Sequence, residues 1–143
     1  MKQIINPNTA HSLGILIVDD DFYGRRYLQR ILSNYGECDI ASNGQEAVDA
    51  YEHSLGEEFA YDLICLDLMM PIMDGHEALK RIRRIEDQKG IYGDDCVKVI
   101  ITSALDDRRN MLNAYSAGCE GYVTKPIKKS KLVDVIKELG LID

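Results

Sequence analysis

Residues 61–75 read Tyr-Asp-Leu-Ile-Cys-Leu-Asp-Leu-Met-Met-Pro-Ile-Met-Asp-Gly, and this stretch decides the fold of the chain. The apolar run from Leu63 to Leu66 is typical of a strand buried on both faces, and it ends at Asp67, just before proline and glycine punctuation. In an open parallel sheet, ligands bind in the crevice at the carboxyl ends of the strands. Asp67 is therefore a candidate functional residue.

The rest of the chain alternates between strand-like and helix-like segments. Apolar runs predict strands at Leu13–Val18, Cys38–Ala41, Leu63–Leu66, Val97–Ser103 and Gly121–Thr124. Apolar positions at helical spacing predict helices at Phe22–Tyr35, Ala47–Leu55, Gly75–Gln88, Asp106–Ala117 and Ser130–Leu139. Such alternation implies right-handed βαβ crossovers, so we expect an α/β fold with a doubly wound, five-stranded parallel sheet.

Local signals also mark the ends of the first predicted helix. Asp21 is well placed as its N-cap, because an aspartate side chain accepts the free N–H groups of a first turn. Gly36 is a natural stop after the helical pattern. Before the first strand, residues 1–12 are polar and contain Asn-Pro-Asn, which predicts a flexible N-terminal arm.

Length and charge limit the classes of protein to which the chain can belong. Its 143 residues, 45% of them hydrophobic, suit one compact domain, which we place at residues 13–143. A net charge of −7 argues against nucleic-acid binding, which depends on a basic face. The basic clusters are interpreted as solvated helix faces, and they are Arg25-Arg26, Arg81 with Arg83-Arg84, and Lys128-Lys129 with Lys131.

Cysteine usage and hydropathy bear on the compartment. The four cysteines contain no C-x-x-C pair, so they predict neither a zinc site nor a redox motif but small buried side chains in a reducing compartment. No apolar run reaches the length of a membrane span, and the first residues lack the apolar core of a signal peptide. We therefore expect a cytoplasmic protein that does not associate with membranes.

Polar residues follow four of the predicted strands at one rim of the sheet. They are Asp19 and Asp20 after the first strand, Asp67 after the third, Thr102 and Ser103 at the end of the fourth, and Lys125 after the fifth. Three acids form an all-oxygen site of the kind that magnesium prefers. A lysine and a hydroxyl opposite them complete the parts of a phosphoryl-transfer site with a carboxylate nucleophile.

Four motifs in this order resemble the receiver domain of two-component response regulators, the CheY-like family. They are Leu16–Asp21, Leu66–Gly75, Ser103-Ala104 and Lys125-Pro126, and the resemblance runs from about Leu13 to Leu139. It implies the flavodoxin-like strand order 2-1-3-4-5, which flavodoxin and CheY share. The loop at Gly90–Cys96 is longer than in CheY, so contacts carried over there are not assigned.

The resemblance also implies a role for each residue of the rim. Asp67 corresponds to the phosphoacceptor, and Asp19, Asp20 and the backbone carbonyl of Met69 would bind magnesium with it. Lys125 would supply a counter-charge, and Tyr122 corresponds to the switch aromatic. Ser103 corresponds to the switch hydroxyl because it precedes an alanine and has the family's spacing to Lys125, with Thr102 as its competitor.

The function implied is a stand-alone signalling switch rather than an enzyme with a separate substrate. A sensor histidine kinase or a histidine phosphotransfer protein would phosphorylate Asp67, approaching near Arg25 and Arg26. Because four residues follow Leu139, we expect no output domain but a downstream protein, or a second copy of the chain, that docks on the 104–131 face.

Three other functions remain to be weighed. An aspartyl-phosphate phosphatase needs D-x-D-x-[TV] around its nucleophile, whereas Asp67 is followed by Leu-Met-Met. A flavodoxin-like FMN carrier needs a hydroxyl-rich phosphate loop after the first strand, and Asp19-Asp20-Asp21 would repel a phosphate there. A degenerate receiver that binds partners without being phosphorylated is excluded only by the presence of every site residue.

Overall fold

The computed structural model describes residues 12–143, so the arm predicted for residues 1–12 lies outside the described residues except for Ser12. The strands are β1 (Leu13–Val18), β2 (Gly36–Ala41), β3 (Leu63–Asp67), β4 (Lys98–Ser103) and β5 (Gly121–Thr124). The helices are α1 (Phe22–Leu32), α2 (Gly44–Ser54), α3 (Gly75–Gln88), α4 (Arg108–Ala117) and α5 (Lys129–Glu138), with a short 3₁₀ turn at Gly93–Asp95.

The five strands form one parallel sheet in the order β2-β1-β3-β4-β5, which confirms the predicted fold. β3 is buried along its whole length because helices cover both faces of the sheet. One apolar cluster lies between the sheet and α2, α3 and α4, and the other lies between the sheet and α1 and α5. The carboxyl ends of β1, β3, β4 and β5 are thereby brought to one rim.

The predicted end of the first helix is wrong. α1 ends at Leu32 rather than Tyr35, and Gly36 is the first residue of β2 rather than a helix stop. A Cβ at Gly36 would lie 2.0 Å from the carbonyl oxygen of Leu13, so glycine is needed where β2 closes against β1. At the other end of the helix, Asp21 is the N-cap as predicted, accepting the N–H of Gly24.

The observed burial of Arg83 and of two cysteines differs from the prediction. Arg83, which was expected on a solvated helix face, keeps only 19% of its side chain exposed. Cys65 and Cys119 are buried as expected, whereas Cys38 and Cys96 are only half-buried, and all four are free thiols. None of the helices within residues 12–143 is long and apolar enough to cross a bilayer. The cytoplasmic location stays a prediction.

Candidate functional site

Three carboxylates meet at the rim, one of them from the end of β3 and two from the end of β1. β1 and β3 are neighbours that pair Val18 with Leu66, so the next residues, Asp19 and Asp67, lie side by side. Oxygens of Asp19, Asp20 and Asp67 lie within 4.8 Å of one another. Asp19 is 1% exposed and Asp67 5% exposed, whereas Asp20 is open to solvent. The structure therefore brings together the three predicted acids.

Asp19 is held in place through its backbone and its side chain. Its N–H donates to the carbonyl of Ala41 on β2 (3.1 Å), and its Oδ1 accepts the N–H of Asp21 (2.9 Å). A guanidinium nitrogen of Arg25 donates to its carbonyl (2.8 Å), so α1 is tied to the end of β1. No sequence pattern predicts this role of Arg25, because the contact is made to a backbone atom.

Lys125 lies between the two buried acids. Its Nζ is 3.1 Å from Oδ2 of Asp19 and 3.4 Å from Oδ2 of Asp67. Burial alone would lower the pKa of Lys125, but the charges of Asp67 and Asp19 more than offset it, so its pKa is raised. The predicted counter-charge is therefore in contact with the predicted phosphoacceptor.

One ammonium group cannot compensate two buried carboxylates fully. Burial raises the pKa of Asp67 to about 6; the charge of Lys125 opposes this shift, and the negative charge of Asp19 adds to it. The N–H of Met69 gives Asp67 one further hydrogen bond, at the long distance of 3.4 Å. The carboxylate of Asp67 is thus held charged above about pH 6 at an electrostatic cost.

The two candidate hydroxyls on β4 are both buried but have different partners. Thr102 pairs with Asp67 across the β3–β4 ladder, and its Oγ1 has no hydrogen-bond partner among the described residues. Ser103 comes one residue later, and its Oγ accepts the N–H of Leu105 (3.0 Å) in the loop that follows β4. In this state, the Ser103 hydroxyl is bonded to that loop.

Tyr122 reaches the same loop from β5. Its ring is buried, and its hydroxyl donates to the carbonyl of Leu105. The backbone of Leu105 is therefore bonded to Ser103 through its N–H and to Tyr122 through its C=O. Sequence reasoning selected Ser103 and Tyr122 but missed Leu105, because a backbone contact leaves no signature in the residue type.

The loop after β3 is packed closely against the site. Asp74 caps α3 by accepting the N–H of Glu77, and Gly75 follows it. A Cβ at Gly75 would lie 2.3 Å from the carbonyl oxygen of Asp67, so only glycine allows α3 to begin this close to Asp67. This contact gives a physical reason for the Asp-Gly pair in the predicted motif.

The donor set fits a magnesium ion. Asp19, Asp20 and Asp67 offer hard carboxylate oxygens from a single small cluster. Within residues 12–143, Lys125 is the one lysine in contact with them, which leaves an excess of negative charge. Asp20 is exposed to solvent, which suits an ion that retains several of its waters. The predicted fourth ligand, the carbonyl of Met69, stays a prediction.

Comparisons with known sequences agree with this geometry. A family model described as the response regulator receiver domain matches residues 15–137. The chain is 34% identical to the chemotaxis protein CheY of Halobacterium salinarum over 126 residues, covering 87% of this chain and 94% of that protein. It is 36% identical to two-component response regulator 24 of Arabidopsis thaliana over 136 residues, covering 94% of this chain and 89% of that protein.

Solved structures with the same fold include complexes. One is the co-crystal structure of the Saccharomyces cerevisiae histidine phosphotransfer protein Ypd1 with the receiver domain of Ssk1 (30% identity, TM-score 0.79, 90% of this chain and 89% of that one). Another is the receiver domain of the histidine kinase CKI1 from Arabidopsis thaliana with Mg²⁺ and BeF₃⁻ (27% identity, TM-score 0.76, 90% and 89%).

Proposed function

Because the chain belongs to the response regulator receiver domain family, we propose that it is a phosphorylation-dependent switch whose phosphoacceptor is Asp67. The observation that carries the proposal is the position of Asp67, which is buried beside the carboxylate of Asp19 and in contact with the ammonium of Lys125. The domain proposed for this function spans residues 13–143. The phosphodonor is a phosphohistidine on a sensor kinase or on a histidine phosphotransfer protein.

The transfer step uses the carboxylate of Asp67 as nucleophile. One of its oxygens attacks phosphorus in line, a P–O bond forms, the P–N bond breaks, and the histidine nitrogen leaves with the electron pair. Lys125 lies close enough to Asp67 to offset the charge of the phosphoryl oxygens. Magnesium held by Asp19, Asp20 and Asp67 would neutralise further negative charge on those oxygens. Water later attacks phosphorus, which releases inorganic phosphate and restores the carboxylate.

The response of the fold is proposed to pass through Leu105. In the unphosphorylated state, the Ser103 hydroxyl accepts the N–H of Leu105, and Tyr122 donates to the carbonyl of the same residue. A phosphoryl group on Asp67 offers new acceptor oxygens to the Ser103 hydroxyl. In this proposal, the hydroxyl turns to donate to them, and this movement takes its oxygen away from the Leu105 N–H. Because Leu105 is bonded to both residues, phosphorylation would shift the loop after β4 and the ring of Tyr122 together toward a second conformation.

The readout surface is proposed to be the 104–131 face, where this loop continues into α4, β5 and the start of α5. Its exposed basic side chains are Arg108, Arg109, Lys128, Lys129 and Lys131. On a chain with a net charge of −7, such a face favours an acidic surface on a downstream protein, with a second copy of the chain as the alternative occupant.

The proposed phosphoacceptor is tested with acetyl phosphate, magnesium and intact-mass spectrometry. We expect a mass increase of one phosphoryl group in the unaltered chain and none in Asp67→Asn. Asp87→Asn, which changes an exposed aspartate on α3, is the matched control and should be labelled normally. An unlabelled chain, or a labelled Asp67→Asn variant, contradicts the proposal.

The readout surface is tested by amide hydrogen exchange with and without acetyl phosphate. Changes in protection are expected between Ala104 and Lys131, because Ser103 directly precedes this segment and Lys125 lies within it. Changes confined to α1, with none in the 104–131 face, would show that the output lies elsewhere.

A further inference from the structure

A cavity of about 470 Å³ lies at the end of the sheet opposite the rim that carries Asp67. Its walls come from the first residues of β1, one side of β2, the last turns of α2 and the segment that leads from α2 into β3. β1 and β3 run from this end of the sheet towards Asp19 and Asp67, so the length of the strands, roughly 17–20 Å, separates the cavity from the acids. The cavity is therefore distinct from the proposed phosphoacceptor site.

The buried part of the lining is apolar. Leu13 is only 5% exposed, and Ala50 packs against the core from α2. The aromatic rings of Phe59 and Tyr61 line the same cavity, and Phe59 is 49% exposed in the free protein. The cavity has a volume typical of small-molecule sites, about 300–1,000 Å³, which also have mostly apolar walls. This part of the lining is suited to the organic body of a ligand rather than to a bare ion.

The charged part of the lining is exposed and acidic. Glu37 and Asp39 are two residues apart on β2, so their side chains lie on the same face of the sheet. Glu57 supplies a third carboxylate, 3.5 Å from the imidazole of His53. Within residues 12–143, the lining contains neither lysine nor arginine. The carboxylates therefore give the cavity a negative potential that attracts a cation.

Two further features place this negative potential beside the aromatic wall. The hydroxyl of Tyr61 donates to Oδ2 of Asp39 (2.6 Å), which holds the carboxylate next to the ring. His53 and Ser54 line the cavity from the last turn of α2, so the negative end of the helix dipole also lies there. Aromatic faces attract ammonium groups as well. The charge and the rings thus favour the same kind of ligand.

We propose that this cavity is a binding site for a small organic cation, an amine with an apolar or aromatic body. The ammonium group lies beside the carboxylates of Glu37 and Asp39, and the apolar body packs against Leu13 and Ala50. An anion would be repelled by the acids, and an inorganic cation would leave the apolar wall uncovered. The site does not depend on phosphorylation of Asp67, so the inference goes beyond the proposed function.

The test uses tryptamine, which joins a primary ammonium group to an aromatic body, and its anionic counterpart indole-3-propionic acid. Each is titrated into the isotopically labelled chain, and the amide signals are followed by NMR. We expect tryptamine to shift the amides of Gly14, Ala50 and Tyr61 with a Kd on the order of 0.1–1 mM, as for a small ligand of ordinary efficiency. Indole-3-propionic acid should bind about tenfold more weakly or less, because the carboxylates repel it.

Two variants separate the charge of the cavity from its shape. Glu37→Gln/Asp39→Asn removes two charges at nearly constant side-chain size and should raise the Kd of tryptamine about tenfold. Its thermal midpoint should be unchanged or raised, because like charges on one face of β2 are removed. Ala50→Leu extends an apolar side chain into the cavity and should also raise the Kd about tenfold. If Ala50→Leu does not fold, the charge variant still decides the test.

The matched control is Asp134→Asn/Glu138→Gln, which removes two exposed charges from α5, on the other face of the sheet. Because the net charge changes equally in the control and in Glu37→Gln/Asp39→Asn, any difference between them reports the cavity and not the overall charge. The control should bind tryptamine with the Kd of the unaltered chain.

Four results would overturn the inference. Absence of tryptamine binding would remove the site, and equal affinities for tryptamine and indole-3-propionic acid would show that its charge does not select the ligand. Shifts confined to Asp19, Asp20 and Asp67 would place the amine at the acidic rim instead. An unchanged Kd in either folded cavity variant would exclude the cavity as the site. Absence of labelling by acetyl phosphate, in contrast, would overturn the proposed function and leave this inference standing.

Discussion

Two groups of buried charges, the acidic site and a second group centred on Arg83, are bonded very differently. In the second group, the Arg83 guanidinium donates to Glu86 (2.7 Å), to both carboxylate oxygens of Glu120 (2.8 and 3.0 Å) and to the carbonyls of Val97 and Gly118 (both 2.8 Å). Glu86 lies one turn further along α3, and the other three partner residues lie 14 to 37 residues away in the sequence. Here this group is called the Arg83 network.

The acids of the Arg83 network are satisfied as well. Oε2 of Glu86 accepts the hydroxyl of Tyr51 and the N–H of Val97, each at 2.8 Å, and Glu120 accepts the N–H of Val99 (2.7 Å). Burial alone would lower the pKa of Arg83, but its hydrogen bond to Glu86 and the charges of Glu120 and Glu86 raise it overall. The network therefore ties α2, α3, β4 and the turn before β5 together.

The acidic site is left incomplete by comparison. Lys125 is shared by two buried carboxylates, the pKa of Asp67 is raised to about 6, and the hydroxyl of Thr102 has no partner among the described residues. Buried charges that serve only the fold are paired and hydrogen-bonded. A site that must accept a cation and a phosphoryl group instead keeps buried negative charge that is not fully neutralised. The two groups should then respond to mutation with opposite signs.

The largest effect is expected from Arg83→Met. It leaves the 2%-exposed side chain of Glu86 without its cation, and breaking a buried pair in this way costs about 3–5 kcal/mol of unfolding free energy. Urea denaturation measures the loss. Arg84→Met, which alters the exposed neighbouring arginine, is the control and should change stability by less than about 0.5 kcal/mol. Equal effects of the two substitutions would show that the Arg83 network is not structural.

The opposite sign is expected for Asp67→Asn, measured with EDTA at about pH 7.5. The folded-state pKa of Asp67 is raised above its ordinary value of 3.8 to about 6, so the folded chain binds more protons than the unfolded chain between these values. Stability therefore falls as pH rises through this window and stays lower above it. Asp67→Asn removes the penalty and should gain on the order of 1–3 kcal/mol.

The pH profile is the check on this explanation. The gain should shrink below about pH 6 and vanish only well below pH 3.8, where Asp67 is protonated in both states. Asp87→Asn should show no gain at any pH, because Asp87 is exposed. A gain that persists unchanged at low pH would assign the effect of Asp67→Asn to something other than its charge.

The difference between the two groups also explains what the sequence could predict. Asp19, Asp67 and Lys125 each follow a strand directly, and parallel strands end at one rim, so local patterns suffice to bring them together. The partners of Arg83 lie 3 to 37 residues away and include backbone carbonyls, which have no residue-type signature. The sequence pattern therefore predicts a solvated helix face for Arg83, which is wrong.

Two further features could not be predicted for the same reason. Gly36 resembles a helix stop in sequence, and only the approach of β2 to Leu13 shows that it is a close-contact glycine in a strand. The strained φ of Ile72, +71°, depends on how the loop after β3 returns to α3, since Gly75 must pack against the carbonyl of Asp67. Both depend on contacts between elements, which residue type alone does not specify.

Magnesium should stabilise the acidic site and leave the Arg83 network unaffected. At about ten times its Kd it should stabilise the unaltered chain by about 1.4 kcal/mol at neutral pH, because it binds the folded acids. The effect should weaken below about pH 6, since protonation of Asp67 removes a ligand. In Asp20→Ala, most of the stabilisation by magnesium should be lost. Thermal melts over a magnesium series give the measurement, and an unchanged affinity would remove Asp20 from the site.

The smallest effect on stability is expected at the two hydroxyls of β4. Thr102→Val replaces a buried hydroxyl that has no partner with a methyl group of similar shape, so it should be neutral or stabilise by up to about 1 kcal/mol. Ser103→Ala removes the acceptor for the N–H of Leu105 and should cost about 0.5–1.5 kcal/mol. Denaturation curves for the two variants give this difference, which is too small to decide their roles alone.

Phosphorylation separates the two hydroxyls more clearly than stability does. Acetyl phosphate should label Asp67 in both variants, because neither substitution removes the nucleophile. The change in amide exchange across the 104–131 face should persist in Thr102→Val and be lost in Ser103→Ala, since only Ser103 is bonded to the loop that Tyr122 also holds. The reverse result would identify Thr102, which pairs with Asp67 across the sheet, as the switch hydroxyl. The unpaired hydroxyl of Thr102 would then be the donor that is kept free for the phosphoryl group. The acidic site would in that case include Thr102, the residue before Ser103 in β4.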